Sequence, residues 1–281
     1  MYRHEKSMTI CISAIATEKI DGVDREIIVI STDHMVTNPL GEFEQEIKKY
    51  RVLNSNAIAM LSGRVLLFDR LLEKVHDFHD YNKIKIKIYE NFKEVRKEEV
   101  KKEAYEPIGI GEEFVRNLLI NPLQNDVAKK ILESAYGHSL KSNIILSGFD
   151  DKKRAQICEI GEKDFLDLRE LHFHTIGSGW DQAYNTLLFQ GQCRGNNLKT
   201  TPYNVFKAKK NAEAKQGVGK ETEIIICDGD GVYEIGEEDM ENLKKVHEKD
   251  KKFGVEEFNK EYLKSPLPSY LNNKKGEEND I

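Results

Sequence analysis

Two β-rich runs near the start of the chain, 9–16 and 26–32, flank a charged turn containing Asp21-Gly22. Asp-Gly favours the left-handed backbone that a tight hairpin needs, so the two runs read as paired strands. The second run, Glu26-Ile27-Ile28-Val29-Ile30-Ser31-Thr32, carries apolar residues at consecutive positions. Side chains of a strand alternate between its two faces, so consecutive apolar residues call for cover on both sides. A layered fold is therefore required.

The rest of the chain supplies the layers. Residues 48–53 and 57–61 form a second strand pair around Asn54-Ser55-Asn56, and Ser62-Gly63 closes it. An amphipathic helical run follows from about Val65 to His79. Lys83 to Ile88 alternates with period two, as a strand would, and the pattern then turns helical and charged through Glu103. Pro107 and Gly109 break it, and another helix is expected between Glu112 and Tyr136. Strands return at 143–149 and 154–160, joined by Asp150-Asp151-Lys152-Lys153, and at 172–176. Gly177-Ser178-Gly179 then leads into a helix from Asp181 to about Phe189, with a further helix near 204–215. Strands at 222–227 and 232–235 flank Asp228-Gly229-Asp230-Gly231. From Glu237 the chain is rich in lysine and glutamate, which fits one helix with a frayed end. Strands, helices, strands, helices and strands in that order predict an α+β layer arrangement.

Composition narrows the function. The 281 residues carry 43 Lys and Arg against 49 Asp and Glu, a net charge of −6, so nothing draws the chain to nucleic acid or an anionic membrane. No apolar run approaches the ~20 residues that span a bilayer, and residues 1–7 do not form a signal peptide. Cys11, Cys158, Cys193 and Cys227 lie far apart with no CxxC pair, as expected of reduced thiols in a cytoplasmic protein. No cofactor or metal is expected. His76 and His79 have helical i, i+3 spacing but no further ligand set, and Asp228 to Gly231 suits a hairpin turn better than a calcium loop. The lysines between Lys83 and Lys102 are interleaved with acids, the mark of a solvated face.

The chemistry begins at Thr9, which follows Met8 and opens the strand Thr9-Ile10-Cys11-Ile12-Ser13-Ala14-Ile15. A threonine hydroxyl needs a base beside it. With residues 1–8 removed, that base is the Thr9 α-amine, whose ordinary pKa is about 7.7–8.0. Three routes are open: a start at Met8 with the methionine trimmed off, self-cleavage after Met8, or no cleavage and no activity.

Further segments give this possibility company. Thr32-Asp33-His34-Met35-Val36-Thr37 follows the second strand, and Lys49 and Gly63 stand fourteen residues apart at either end of the next strand pair. Ile145 to Asp150 with Ile157 to Ile160 forms a later hairpin, then Ile176-Gly177-Ser178-Gly179 precedes a helix containing Ala183-Tyr184. In order and spacing, from roughly Thr9 to Ile235, the chain resembles the proteasome β-subunits and their relatives, the N-terminal-nucleophile hydrolases. The resemblance implies a four-layer αββα sandwich over 9–236; the charged helical region at 83–136 and the helical tail at 237–281 are extended beyond the family pattern. It makes Thr9 the nucleophile and base, Asp33 and Lys49 a buried pair that tunes it, Gly63 the oxyanion donor and Ser178 the group that orients the amine. Glu213 and Gln216, in Glu213-Ala214-Lys215-Gln216-Gly217, stand where the family has an acid-x-x-Ser element. The implied activity is a threonine-type peptidase or amidohydrolase working through an acyl-enzyme, with transfer to water or to another amine. Peptide or protein substrates, or a small-molecule amide, and a ring-like homo-oligomer or a monomer go with it. The Glu213 and Gln216 replacements and an unprocessed leader favour the alternative, a catalytically inactive proteasome-like structural or binding protein.

Overall fold

In the computed structural model, which describes residues 9–38, 41–44, 47–109, 126–257 and positions 111, 113, 114 and 117, the Asp21-Gly22 turn joins β1 (Ile10–Ile20) to β2 (Val23–Thr32). Both turn residues have positive φ, 52° and 80°, as a two-residue hairpin requires. A small hairpin follows, β3 (Met35–Asn38) with β4 (Gly41–Glu44). Then come β5 (Tyr50–Asn54), β6 (Ala57–Ser62), β7 (Asn143–Phe149), β8 (Ala155–Ile160), β9 (Phe165–Asp167) and β10 (Phe173–Gly177). The last strands are β11 (Glu223–Cys227) and β12 (Val232–Glu234). Two five-stranded antiparallel sheets result, ordered β10-β1-β2-β11-β12 and β5-β6-β7-β8-β9. The α-helices among the described residues are α1 (Phe68–Leu71), α2 (Tyr81–Val100), α3 (Asp126–Gly137), α4 (Trp180–Phe189), α5 (Thr200–Ala212) and α6 (Glu237–Glu257). The chain is thus mixed α+β.

The alternation of side chains explains the packing. Cys11 and Ile15 of β1 and Ile28 and Ile30 of β2 meet Ile58 and Met60 of β6, Ile145 of β7 and Ile157 of β8 in one buried core between the sheets. Ser13 Oγ and Ser147 Oγ lie 2.8 Å apart within that layer, so these two hydroxyls satisfy each other. The opposite face of β6, β7 and β8 (Ala59, Leu61, Ile144, Leu146, Ile160) buries against α1 and α2. The other faces of β1 and β2, with Ile10, Ile12, Ala14, Ile27 and Val29 all buried, are covered by α4 and α5. The cover that the consecutive isoleucines demanded is present on both sides. A boundary between Ile235 and Gly236 sets off a second unit, in which Glu237, Glu238 and Asp239 place negative charge in the first turn of α6, where the helix dipole favours it.

Two expectations are corrected. Lys83 to Ile88 is helical, not extended. Asp80 caps α2 by accepting from the Lys83 N–H at 2.8 Å, and Tyr81, Ile84, Ile88, Phe92 and Val95 form one buried face at helical spacing. The period-two isoleucines conceal this because Ile84 and Ile88 are also i, i+4 neighbours, whereas Ile86 is 49% exposed. The expected helix from Val65 to His79 is broken into 3-10 turns at Val65–Leu67 and Val75–Asp77 around the four-residue α1. The Asn91 side-chain amide donates to the Leu71 and Glu73 carbonyls, both at 2.9 Å, and Lys74, the next residue, takes a left-handed conformation. Of the helix expected at 112–136, α3 and positions 113, 114 and 117 are described and are helical; residues 118–125 lie outside the described residues, as do 1–8 and the chain beyond Glu257. The two-versus-four periodicity has a direct check by urea unfolding. Ile84→Ala should cost about 2–5 kcal/mol and Ile86→Ala no more than about 0.5; equal losses would restore the strand reading.

Candidate active site

Thr9, Asp33 and Lys49 come from three separate places. Thr9 leads directly into β1, Asp33 directly follows β2, and Lys49 directly precedes β5. The hairpin register brings the first two together, since Cys11 pairs with Thr32. Lys49 is tied to the other sheet through its carbonyl, which accepts from the Leu61 N–H at 2.9 Å. The three side chains meet in a triangle. Lys49 Nζ donates to Thr9 Oγ1 at 2.5 Å and to Asp33 Oδ1 at 2.7 Å, and Thr9 Oγ1 donates to the same Oδ1 at 2.6 Å. Exposure is 2%, 0% and 2% for Thr9, Asp33 and Lys49. Charges so deeply buried persist only when paired and hydrogen-bonded, and these are.

The second oxygen of Asp33 is also used, accepting from the Gly219 backbone N–H at 2.7 Å. Sequence reasoning missed Gly219, and it missed Lys209 as well. Lys209 is fully buried on α5, where it donates to Glu213 Oε1 and to the Gly219 carbonyl, both at 2.6 Å. In the sequence Lys209-Lys210 with Glu213 reads as a solvated helical pair. The available signal was that Val205, Phe206, Ala208 and Ala212 carry the apolar face of this helix straight across position 209.

Gly63 and Gly177 fit positions that no other residue suits. Both have positive φ, 120° and 104°. A Cβ on Gly177, the register partner of Ile10, would collide with the Thr9 carbonyl, and one on Gly63 would strike Lys141 and Ser142. Beside Gly177 opens a cavity of about 710 Å³ lined by Ser62, Ser142, Gly177, Ser178, Trp180 and Gln216, among others. Ser178 and Gln216 therefore share one cavity wall system, and Ser62 brings the end of β6, next to Gly63, into it. Glu213 instead serves Lys209 and, at 2.8 Å, Lys210. The other sites weighed from the sequence have local partners. Asp228 Oδ1 accepts from the Asp230 and Gly231 N–H groups in the β11–β12 turn, and His76 Nδ1 lies 3.2 Å from the Leu53 carbonyl.

No protein-family model matches the chain, and no curated protein matches it. The triangle can polarise the Thr9 hydroxyl, because a buried ammonium within hydrogen-bonding distance favours the oxyanion form. Cys11 lies beside it, 3.4 Å from the Leu61 carbonyl, but burial pushes its thiol far above the usual range; Lys49 opposes that rise and Asp33 adds to it. Burial likewise raises Cys158 to about 12 and Cys227 to about 11. A raised pKa keeps a thiol protonated, and only the thiolate alkylates. Cys193 is half-buried and the other three are buried, so iodoacetamide at about pH 8.5 should label Cys193 and spare the others while the fold holds. Mass spectrometry that found Cys11 labelled first would contradict the burial of its thiol.

Proposed function

We propose that the chain is an N-terminal-nucleophile hydrolase of the proteasome β-subunit type, with the αββα layer order of that family, that cleaves amide bonds with Thr9. The observation that carries the reading is the buried triangle of Thr9, Lys49 and Asp33. Activity requires the chain to begin at Thr9, by trimming from Met8 or by self-cleavage, because only then is the α-amine free to act as base.

On this reading the amine takes the proton from Thr9 Oγ1 as the oxygen attacks the amide carbonyl carbon. The Lys49 ammonium favours the deprotonated amine and the developing alkoxide by its charge. The Gly63 N–H receives the carbonyl oxygen as it becomes anionic, a contact worth about 3–4 kcal/mol in comparable sites. The amine then passes its proton to the leaving nitrogen as the C–N bond breaks, leaving an ester on Thr9. Water, deprotonated by the same amine, attacks the ester, the C–O bond breaks and Oγ1 recovers its proton; another amine in place of water gives transpeptidation. Ser178 orients the terminal amine, with Gln216 in support. The cavity beside Gly177 accommodates the acyl side of a peptide or a small amide, its volume lying in the usual range of ligand pockets. No helix among the described residues is long and apolar enough to cross a membrane, and cytoplasmic protein or peptide substrates, with the enzyme as monomer or ring, go with the reading.

A second reading has its own support. Glu213 is engaged by two lysines, so the acidic residue of the family's supporting element is turned to another use, as it could be in an inactive proteasome-like binding protein. Intact mass and N-terminal sequencing, followed by a peptide library, decide between them. The expected result is a mature chain beginning at Thr9 that hydrolyses peptides, with Thr9→Ala folded and at least about 1,000-fold slower in kcat. A chain that keeps Met1, or a Thr9→Ala protein that turns over at the parent rate, would sink the enzymatic reading.

A further inference from the structure

Lysine rarely lies fully buried, and Lys209 does so on a helix face otherwise made of Val205, Phe206, Ala208 and Ala212. Its ammonium has two short contacts, to Glu213 Oε1 and to the Gly219 carbonyl. The chain between those partners turns back sharply. Ala214 and Lys215 donate to the Asn211 and Ala212 carbonyls, and Gly217 takes a φ of 87°. Gly219 is therefore gripped at both ends, with its carbonyl on Lys209 and its N–H on Asp33 Oδ2. Burial pulls the Lys209 pKa down, Glu213 pulls it back up, and the charge of Asp33 adds in the same direction. The field of Lys209 thus reaches the carboxylate that holds Thr9 and Lys49.

We propose that Lys209 is a positioning residue for the Thr9 site. By fixing the Gly219 carbonyl it aims the Gly219 N–H at Asp33, and that bond sets the carboxylate so that Oδ1 faces Thr9 Oγ1 and Lys49 Nζ together. Glu213 compensates the buried charge of Lys209. The departure from the family pattern at position 213 then has a physical account, since a glutamate one turn on from Lys209 reaches its ammonium at i, i+4. The effect on turnover rests on the proposed role of Thr9, whereas the effect on Gly219 does not.

Lys209→Met keeps the length and apolar stem of the side chain and removes its charge. In two-dimensional NMR the Gly219 amide proton of this variant should move upfield, away from the position of a short bond to a carboxylate. Its hydrogen exchange should quicken by about tenfold or more, the equivalent of one charge-assisted bond. On a peptide that the parent cleaves, kcat should fall by about tenfold with KM within about twofold, because the lost contact lies behind the nucleophile and not in the cavity. If Lys209→Met does not fold, Lys209→Gln serves, because its shorter, uncharged side chain withdraws the ammonium from the Gly219 carbonyl and the Gly219 amide should move in the same direction. An unmoved Gly219 amide in the folded variant overturns the proposal, as does an unchanged kcat. A parent protein without amidase activity overturns the reading of Thr9 alone, and the Gly219 amide still decides the role of Lys209.

Discussion

Lys49 and Asp33 carry two full charges into a region that water scarcely reaches, and much of the surrounding fold satisfies them. An ion of this size loses several kcal/mol of hydration on burial, and removing one member of such a pair costs about 3–5 kcal/mol. Asp33 answers with three donors on its two oxygens, from Thr9, Lys49 and Gly219. Those donors reach it from the start of β1, the approach to β5 and the loop after α5. Segments distant in sequence are thereby fastened at one point, where the two sheets and the α5 side of the sandwich come together.

The same point explains why particular glycines are fixed. β1 pairs with β10 only if Gly177 lets the Thr9 carbonyl come close, and the end of β6 passes Lys141 and Ser142 only without a side chain at 63. Any side chain at either position would push the strands apart where the triangle needs them within hydrogen-bonding distance. Backbone freedom at two residues thus sets side-chain geometry at three others.

How much of this was legible follows from the range of each signal. Asp21-Gly22 and the isoleucine run of β2 are local patterns, and the hairpin and its two-sided burial lie close to their expected places. Asp33 and Lys49 were legible only by position in a resembling pattern, since each alone reads as a turn or a solvated charge. Lys83 to Ile88 misled because residues two apart on a strand and four apart on a helix can be the same isoleucines; Asp80, three residues before Lys83, was the local cue that breaks the tie. Lys209 left only the faint signal of an apolar helix face running across it, and Gly219 left none, because their contacts exist only once α5 lies against β1 and β2 and brings a loop to Asp33.

A buried ion pair is weak grounds for stability by itself, since well-packed apolar residues of the same volume often serve a fold as well or better. What apolar residues cannot do is hold a hydroxyl oxygen between an ammonium and a carboxylate. Here that oxygen belongs to the residue that opens β1, so its position is set by the same hairpin that organises the first sheet. The third contact of Asp33 then matters, because a carboxylate held on one side only could rotate and release Thr9 while keeping Lys49. With Gly219 on its far oxygen, and Lys209 behind Gly219, the carboxylate has one orientation in which all of its donors are served. Pre-organisation of that kind is costly to maintain in a protein interior, and it has a use where a nucleophile must meet its substrate without first rearranging.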